Sequence, residues 1–307
     1  MPSDGAPRIS VVTATYNRRA LLPRLYASLR AQTLQAFEWI VVDDGSTDGT
    51  EALVRGWARE AGFPIVYRWQ PNQGKHVALN RAVALARAPL TAIIDSDDAY
   101  LPHALERLLA LWETIPPAQR PGFAGVEARG RLPDGRLVGA PAAVPVRDSD
   151  YFEIWAWHGA DGDTVGMHRT DVLRAYPFPE DAVGALVPES LVWHRIALRY
   201  RTRFVEEVLS VKEYQPEGLS ARPLSAWIRD APVQRRWWGE LLAMPRPMPR
   251  ALRLRAGANY VRYALHAGAG PRAIWRDAGR RRVLLATAPL GLALYLADHV
   301  RVARERG

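Results

Sequence analysis

Short apolar runs alternate with amphipathic stretches over the first 115 residues. Four runs are typical of buried strands: Ile9–Thr13, Glu38–Val42, Ile65–Trp69 and Thr91–Ile94. Between and after them, leucine and alanine recur at helical spacing over residues 20–31, 52–61, 75–87 and 104–113. Strands that alternate with helices at this spacing form right-handed βαβ units around a largely parallel sheet. The pattern therefore predicts an α/β fold, a Rossmann-like, mostly parallel sheet flanked by helices.

Polar residues follow three of these strands. The first continues into Ala14–Arg18, the second into Asp43-Asp44, and the fourth into Asp95–Asp98. Because parallel strands bring their carboxyl ends to one edge of a sheet, we expect a single cleft there. Asp95, Asp97 and Asp98 fall within four positions, and a hard divalent cation would relieve their mutual repulsion. The alternative is a solvated acidic turn before the helix that starts near His103.

The alternation of strand and helix patterns ends at Pro116-Pro117. A Pro-Asp-Gly turn predicts a hairpin over residues 130–138, and a strand is predicted over 203–211. From Leu224 onward the pattern is helical and basic. We therefore expect one domain over 1–223, with a first part over 1–115 and a second part over 116–223, followed by a helical extension over 224–307.

The positive charge of the chain is concentrated at its C-terminal end. The 307 residues carry a net charge of +9, and residues 246–307 contain thirteen Arg against three acidic residues, a local charge of +10. The remainder is close to neutral, so an anionic surface is the expected partner of the tail. No cysteine is present, which excludes disulfides and thiolate sites. No apolar signal segment follows Met1, so a cytoplasmic protein is expected.

A fifteen-residue apolar run, Val283–Ala297, lies within this basic tail. It follows Arg280-Arg281-Arg282 and contains Pro289. The run is short for a spanning helix, and an interfacial helix anchored by Arg on anionic lipid fits better. Two alternatives stay open: a helix packed on the preceding domain, and a contact between copies in a homo-oligomer. Nucleic acid is not an expected partner, because no recognition motif accompanies the Arg residues.

Two common classes of nucleotide-binding protein are excluded because their motifs are missing. A dinucleotide site needs a G-x-G-x-x-G loop after the first strand, and residues 13–18 contain no glycine. A Walker A loop is also absent from the sequence.

Four motifs, in order, resemble those of the family 2 glycosyltransferases of GT-A fold, which use sugar nucleotides to build bacterial polysaccharides. They are Ser10–Arg18, Val41–Asp48, Gly74–Asn80 and Asp95-Ser96-Asp97-Asp98. The resemblance covers residues 9 to about 213. It implies an enzyme with a GT-A catalytic domain over 1–223 and a helical, basic C-terminal extension. In that domain, residues 1–115 would form the nucleotide-sugar half and residues 116–223 the acceptor half.

The resemblance also implies a donor site. Thr13, Ala14 and Tyr16 would border the nucleotide base, and Asp44 would accept a hydrogen bond from it, although a helix-capping Asp44 is the alternative. Lys75 would place positive charge near the diphosphate, unless it is an exposed lysine at a helix start. Asp95 and Ser96 would complete the donor site, with Asp95 at the ribose or a metal-bound water. The metal ion, Mn²⁺ or Mg²⁺, would be bound by Asp97 and Asp98.

The general base implied by the resemblance is Glu189. An inverting transfer needs one base to deprotonate the acceptor hydroxyl, and Pro188-Glu189-Ser190 stands where the family carries an acidic pair ahead of a helix. A Glu that only favours a helix N-terminus is the alternative. Asp161 and Asp163 are the next candidates.

The expected function is metal-dependent, inverting transfer from a nucleoside-diphosphate sugar, with a UDP-sugar favoured. The acceptor would be a hydroxyl of a glycan or lipid-linked molecule in bacterial surface polysaccharide synthesis, at the inner face of the plasma membrane. Because Ser190 replaces the second acid, a non-catalytic sugar-nucleotide-binding partner of a synthase is the alternative. A nucleotidyltransferase is disfavoured, since its Gly-rich signature after the first strand is missing.

Overall fold

The computed structural model describes residues 6–140, 146–158, 163–215 and 223–306. The chain divides into two compact units. The first comprises Met1–Gly184 and Val192–Tyr214, and the second Ala185–Leu191 and Gln215–Gly307. Each unit is described by itself below.

The first unit contains a nine-stranded sheet. Its strands are β1 (Ile9–Thr15), β2 (Phe37–Asp43), β3 (Ile65–Trp69), β4 (Leu90–Ile93), β5 (Ala99–Tyr100), β6 (Phe123–Arg131), β7 (Val146–Ser149), β8 (Thr164–Arg169) and β9 (Arg201–Val211). The order is β3-β2-β1-β4-β8-β6-β9-β5, and β7 pairs with β9. The strands β3, β2, β1 and β4 are parallel neighbours, as predicted from the alternation of strands and helices.

Helices cover both faces of this parallel part. They are α1 (Leu22–Arg30), α2 (Thr50–Glu60), α3 (Lys75–Leu85) and α4 (Ala104–Glu113), close to the predicted bounds. Leucines of α1 and α4 pack with Trp39 and Val11 in one large core, whereas alanines of α3 pack with Val12 and Ile40 on the opposite face. Because β1 and β2 are covered on both faces, their side chains form nearly continuous apolar runs.

Beyond β4 the sheet is mixed. The strand β8 runs antiparallel to β4 and β6, whereas β6 and β9 are parallel with three shifts in register. The predicted hairpin is present as a tight turn in which the Gly135 amide donates to the Leu132 carbonyl. The other helices of this part are α5 (Tyr151–His158), α6 (Thr170–Ala175) and α7 (Ser190–Ile196), and the first two residues of α7 are assigned to the second unit.

The helices of the second unit are α8 (Leu224–Arg229), α9 (Ala231–Ala243), α10 (Arg250–His266), α11 (Pro271–Asp277) and α12 (Arg281–Arg306). Within α12, the stretch Arg281–Ala303 is long and apolar enough to cross a membrane by length and composition, and most of it is exposed. The apolar segment expected at 283–297 is thus one part of a longer helix that continues through Pro289.

Candidate functional site

The carboxyl ends of β1 and β2 are joined by hydrogen bonds between their loops. The Asn17 amide donates to Ser46 Oγ at 2.8 Å, and the Thr47 amide donates to Asn17 Oδ1 at 2.8 Å. Tyr16 is exposed on this edge. Thr13 is fully buried and its hydroxyl accepts a hydrogen bond from the Trp39 indole at 3.1 Å, so it lies inside the sheet.

Asp44 is buried, and its carboxylate accepts three hydrogen bonds from the segment that precedes α3. Oδ1 accepts from Gln70 Nε2 at 2.7 Å and from the Gln73 amide at 2.9 Å. Oδ2 accepts from the Gly74 amide at 2.8 Å. Asp44 therefore fixes the backbone immediately before Lys75, the first residue of α3.

Asp43 has a local structural role. Its Oδ1 accepts from the Ser46 amide at 2.7 Å, and its Oδ2 accepts from the Tyr67 hydroxyl at 2.7 Å. These bonds hold the turn after β2 and join it to β3.

Lys75 lies against the acidic loop that follows β4. Its Nζ is 2.6 Å from Asp95 Oδ1. Desolvation acts to raise the pKa of Asp95, but the ammonium groups of Lys75 and Lys212 outweigh it and lower that pKa. The loop between β4 and α4 and the start of α3 are thus joined by one ion pair.

Asp98 is engaged by a second lysine. Lys212, the residue after β9, places Nζ 2.7 Å from Asp98 Oδ2, and both side chains are buried. The Glu213 amide donates to Asp98 Oδ1 at 3.3 Å. Burial raises the pKa of Asp98 to about 7, and Lys212 opposes that rise.

Asp97 lies between these two lysine-bound carboxylates, and Ser96 beside it is buried. Desolvation and the neighbouring Asp95 charge raise the pKa of Asp97. Arg24 of α1 donates to the Asp97 carbonyl and also pairs with Glu213. The loop is therefore held from α1 and from the end of β9.

No group of three His, Asp or Glu side chains that could hold a metal by itself occurs in the part of the chain that the structure describes. The donor chemistry nevertheless suits a hard cation, because Asp95 and Asp97 supply carboxylate oxygens and Asp97 is destabilised as an anion by its surroundings. Mg²⁺ is commonly held by one or two carboxylates together with substrate phosphates. The residues therefore fit a cation that arrives with a diphosphate.

The candidate base and its alternatives come from other parts of the chain. Glu189 belongs to the second unit and directly precedes α7. Asp163 accepts a hydrogen bond from the Tyr214 hydroxyl at 3.0 Å, and Asp161 lies outside the described residues.

Sequence reasoning missed Lys212, Arg24 and Glu213. Lys212 is 114 positions from Asp98, and no motif marks it. One signal was available: the chain has only two lysines among 41 basic Lys and Arg residues. Both of them pair with the acidic loop.

Comparison with known families and proteins finds similarity in the N-terminal part of the chain. Residues 10–135 match the model of the family described as glycosyl transferase family 2. An uncharacterized glycosyltransferase of Nostoc sp. is 36% identical over 107 residues, which are 35% of this chain and 33% of that protein. Validoxylamine A glucosyltransferase of Streptomyces hygroscopicus subsp. jinggangensis is 41% identical over 117 residues, 37% of this chain and 27% of that protein.

A third relative is the succinoglycan biosynthesis protein ExoU of Rhizobium meliloti, 32% identical over 109 residues, 35% of this chain and 32% of that protein. The matched part of the chain thus spans about a third of the length of these curated relatives.

Solved structures share the fold at low sequence identity. Residues 1–349 of S. aureus TarS in complex with UDP-GlcNAc superimpose with a TM-score of 0.60 and 18% identity, covering 84% of this chain and 72% of that one. The mannosyltransferase PcManGT of Pyrobaculum calidifontis, in complex with GDP-Man and Mn²⁺, has a TM-score of 0.56 and 20% identity, covering 98% and 88%. The predicted family resemblance and fold class are confirmed: the chain carries a glycosyl transferase family 2 domain, over residues 10–135, on a GT-A fold.

Proposed function

We propose that the protein transfers a sugar from a nucleoside-diphosphate sugar to an acceptor hydroxyl, with inversion at the anomeric carbon. The observation that carries this proposal is the pairing of Lys75 with Asp95 at the carboxyl edge of four parallel strands. That edge is where open α/β sheets bind their ligands. An ammonium group beside carboxylate oxygens suits the binding of a diphosphate together with a metal ion.

The donor would bind with its base along the ends of β1 and β2. Tyr16 offers an exposed aromatic face there, and Thr13, Ala14 and Asp44 form the strand ends behind it. Asp44 would act at the base with its remaining acceptor capacity while holding the residues before Lys75. A UDP-sugar is the proposed donor, supported by the TarS complex with UDP-GlcNAc, although the PcManGT complex contains GDP-Man.

The phosphates would meet Lys75 and the acidic loop. A bound Mn²⁺ or Mg²⁺ would neutralise charge that develops on the leaving nucleoside diphosphate. Asp97 is the proposed ligand, and Asp95 and Ser96 would contact the ribose or a metal-bound water. Asp98 is the further proposed ligand, and its pairing with Lys212 holds its carboxylate in the loop.

Glu189 is the proposed general base. In an inverting transfer it would accept the proton from the acceptor hydroxyl as the new glycosidic bond forms. The acceptor would be a glycan or lipid-linked hydroxyl in bacterial surface polysaccharide synthesis, as the name of the ExoU relative suggests. The domain limits 1–223 and 224–307 and a cytoplasmic location, peripheral on the inner face of the plasma membrane, belong to the same proposal.

Glu189→Gln separates this proposal from a non-catalytic sugar-nucleotide-binding role, which Ser190 keeps open. The variant should retain nucleotide binding, measured as thermal stabilisation by nucleoside-diphosphate sugars with Mn²⁺, because the carboxamide preserves shape. Donor turnover should fall roughly 10²- to 10⁴-fold, the usual contribution of a general base. Glu51→Gln, on the exposed face of α2, is the matched control and should leave both readouts unchanged.

Two outcomes would contradict the proposal. Full donor turnover in Glu189→Gln would exclude Glu189 as the base. A wild-type protein that no nucleotide stabilises, with or without metal, would exclude the donor site itself.

A further inference from the structure

The helix α12 has two apolar faces. One face is buried against α10 and includes Leu284, Thr287 and Gly291. The opposite face carries exposed apolar side chains, Leu285, Leu292, Leu296 and Val300, which we name the leucine stripe. Spacings of seven, four and four residues place these four side chains in one row along the helix.

Close backbone contact fixes the rotation of α12 about its axis. A Cβ added at Gly257 would lie 2.5 Å from Thr287 Oγ1, and one added at Gly291 would lie 2.6 Å from the Ala258 carbonyl oxygen. Contacts move forward along both helices together, so α10 and α12 run parallel. Because neither glycine position tolerates a larger side chain in this packing, α12 cannot turn its leucine stripe inward.

A buried ion pair joins the same two helices farther along. Arg262 donates two hydrogen bonds to Asp298, at 2.6 and 2.7 Å, and His266 Nε2 lies 2.9 Å from Asp298 Oδ2. Asp298 is fully buried. Burial acts to raise the pKa of Asp298, but its bonds with Arg262 and His266 lower it overall. The carboxylate therefore stays charged and tied to α10.

Positive charge and an exposed tryptophan lie at the start of α12. Arg281 and Arg282 are exposed, and the Arg281 guanidinium lies 5.4 Å from the centre of the Trp275 ring on α11. Trp275 is 39% exposed, and Arg272 on the same helix is also exposed. Arginine and tryptophan are suited to the headgroup region of an anionic bilayer, since both combine apolar surface with a polar group.

We propose that the leucine stripe lies in the plane of an anionic lipid bilayer, with Trp275, Arg281 and Arg282 at the headgroups. This goes beyond the peripheral location proposed above by assigning the face and orientation of α12. A spanning orientation conflicts with the packing. In a spanning α12, Asp298 would have to enter the hydrocarbon of the bilayer. It would do so either together with α10 and its four arginines, or after losing its partners Arg262 and His266. Both are unfavourable, because each charge at the bilayer centre is costly.

The charge of this region distinguishes a lipid surface from a second copy of the chain. Exposed arginines lie near both ends of α12: Arg281 and Arg282 at its start and Arg301 near its end. A stripe that paired with itself, parallel or antiparallel, would therefore bring arginines of the two copies together, whereas anionic headgroups compensate them. Binding should therefore require anionic lipid and weaken with salt, because surface charges are screened.

The test compares two leucines of α12 with similar exposure. Leu296 belongs to the stripe and is 56% exposed, whereas Leu290 is 53% exposed and lies off the stripe. The full chain and its Leu296→Glu and Leu290→Glu variants are sedimented with phosphatidylcholine vesicles containing about 30% phosphatidylglycerol, and with pure phosphatidylcholine. Circular dichroism and thermal unfolding verify that the variants fold.

We expect wild type to bind only the anionic vesicles and to be released at about 0.5 M salt. Leu296→Glu should weaken binding at least about tenfold, since burial of the apolar side chain is lost and a like charge faces the lipid. Leu290→Glu should bind within about twofold of wild type. Donor turnover with a soluble acceptor should be equal in all three proteins, so failure of this proposal is distinguishable from failure of the proposed function.

Four outcomes would overturn the proposal. The first two are no vesicle binding by wild type and an equal loss of binding in both variants. The other two are binding that resists salt and alkaline extraction, as that of a spanning helix would, and unchanged vesicle binding in Leu296→Glu. A change of oligomeric state in Leu296→Glu, with unchanged vesicle binding, would assign the stripe to a contact between copies.

Discussion

The substitution Lys212→Met tests the arrangement of the acidic loop most directly. The side chains of Lys212 and Asp98 are only 10% and 6% exposed, and their charged atoms are 2.7 Å apart. Methionine fills a similar volume but leaves Asp98 buried without its cation. Loss of one partner of a buried ion pair typically costs about 3–5 kcal/mol of unfolding free energy. We expect a loss in that range.

The double variant Lys212→Met/Asp98→Asn separates charge from packing. It removes both charges and keeps an acceptor for the Glu213 amide, so it should recover at least about 2 kcal/mol relative to Lys212→Met. The assay is urea unfolding of the full chain, followed by circular dichroism and tryptophan fluorescence.

Arg107→Met is the matched control for this experiment. Arg107 and Glu207 are also 2.7 Å apart, but their side chains are 42% and 41% exposed. Removal of an exposed pair should cost no more than about 1 kcal/mol. The reasoning is refuted if Lys212→Met costs as little as Arg107→Met, or if the double variant is no more stable than Lys212→Met.

Two further predictions concern His194 and Lys75. Burial among aromatic rings lowers the pKa of His194 to about 4, from an ordinary 6.5, so the folded state binds fewer protons than the unfolded state. The unfolding free energy should therefore fall as the pH drops through 6.5 towards 4, and this group alone should account for about 2 kcal/mol between pH 7 and 5. His194→Phe should remove that part of the pH dependence of stability, measured by urea unfolding. An unchanged pH dependence in His194→Phe would contradict the prediction. Lys75→Met should weaken donor binding, measured by calorimetry, at least about tenfold, because a cation beside the phosphates is lost. Lys75→Arg should recover part of the lost affinity. Equal affinities for Lys75→Met and wild type would exclude contact between Lys75 and the diphosphate.

The parallel half of the sheet could be predicted because each of its strands is short, apolar and followed by an amphipathic helix. The meeting of Ala14–Arg18, Asp43-Asp44 and Asp95–Asp98 at one edge followed from the same pattern, since parallel strands share a direction. Local spacing therefore determines this half of the fold, and the structure confirms it.

The second half of the sheet could not be derived in the same way. The parallel pairing of β6 with β9 joins residues about eighty positions apart and contains three register shifts, which no local pattern encodes. The role of Lys212 could not be predicted for the same reason. Only the folded sheet brings the end of β9 to the loop after β4, and a lysine that follows a strand has no distinctive spacing.

The contacts of Asp44 bear on attempts to change the nucleotide that such a protein accepts. Because its carboxylate anchors the amides of Gln73 and Gly74, a substitution intended to admit a different base would also release the start of α3. Lys75 would then lose its fixed position. For the donor site proposed above, redesign should therefore begin at Tyr16, whose ring is exposed, and leave Asp44 in place.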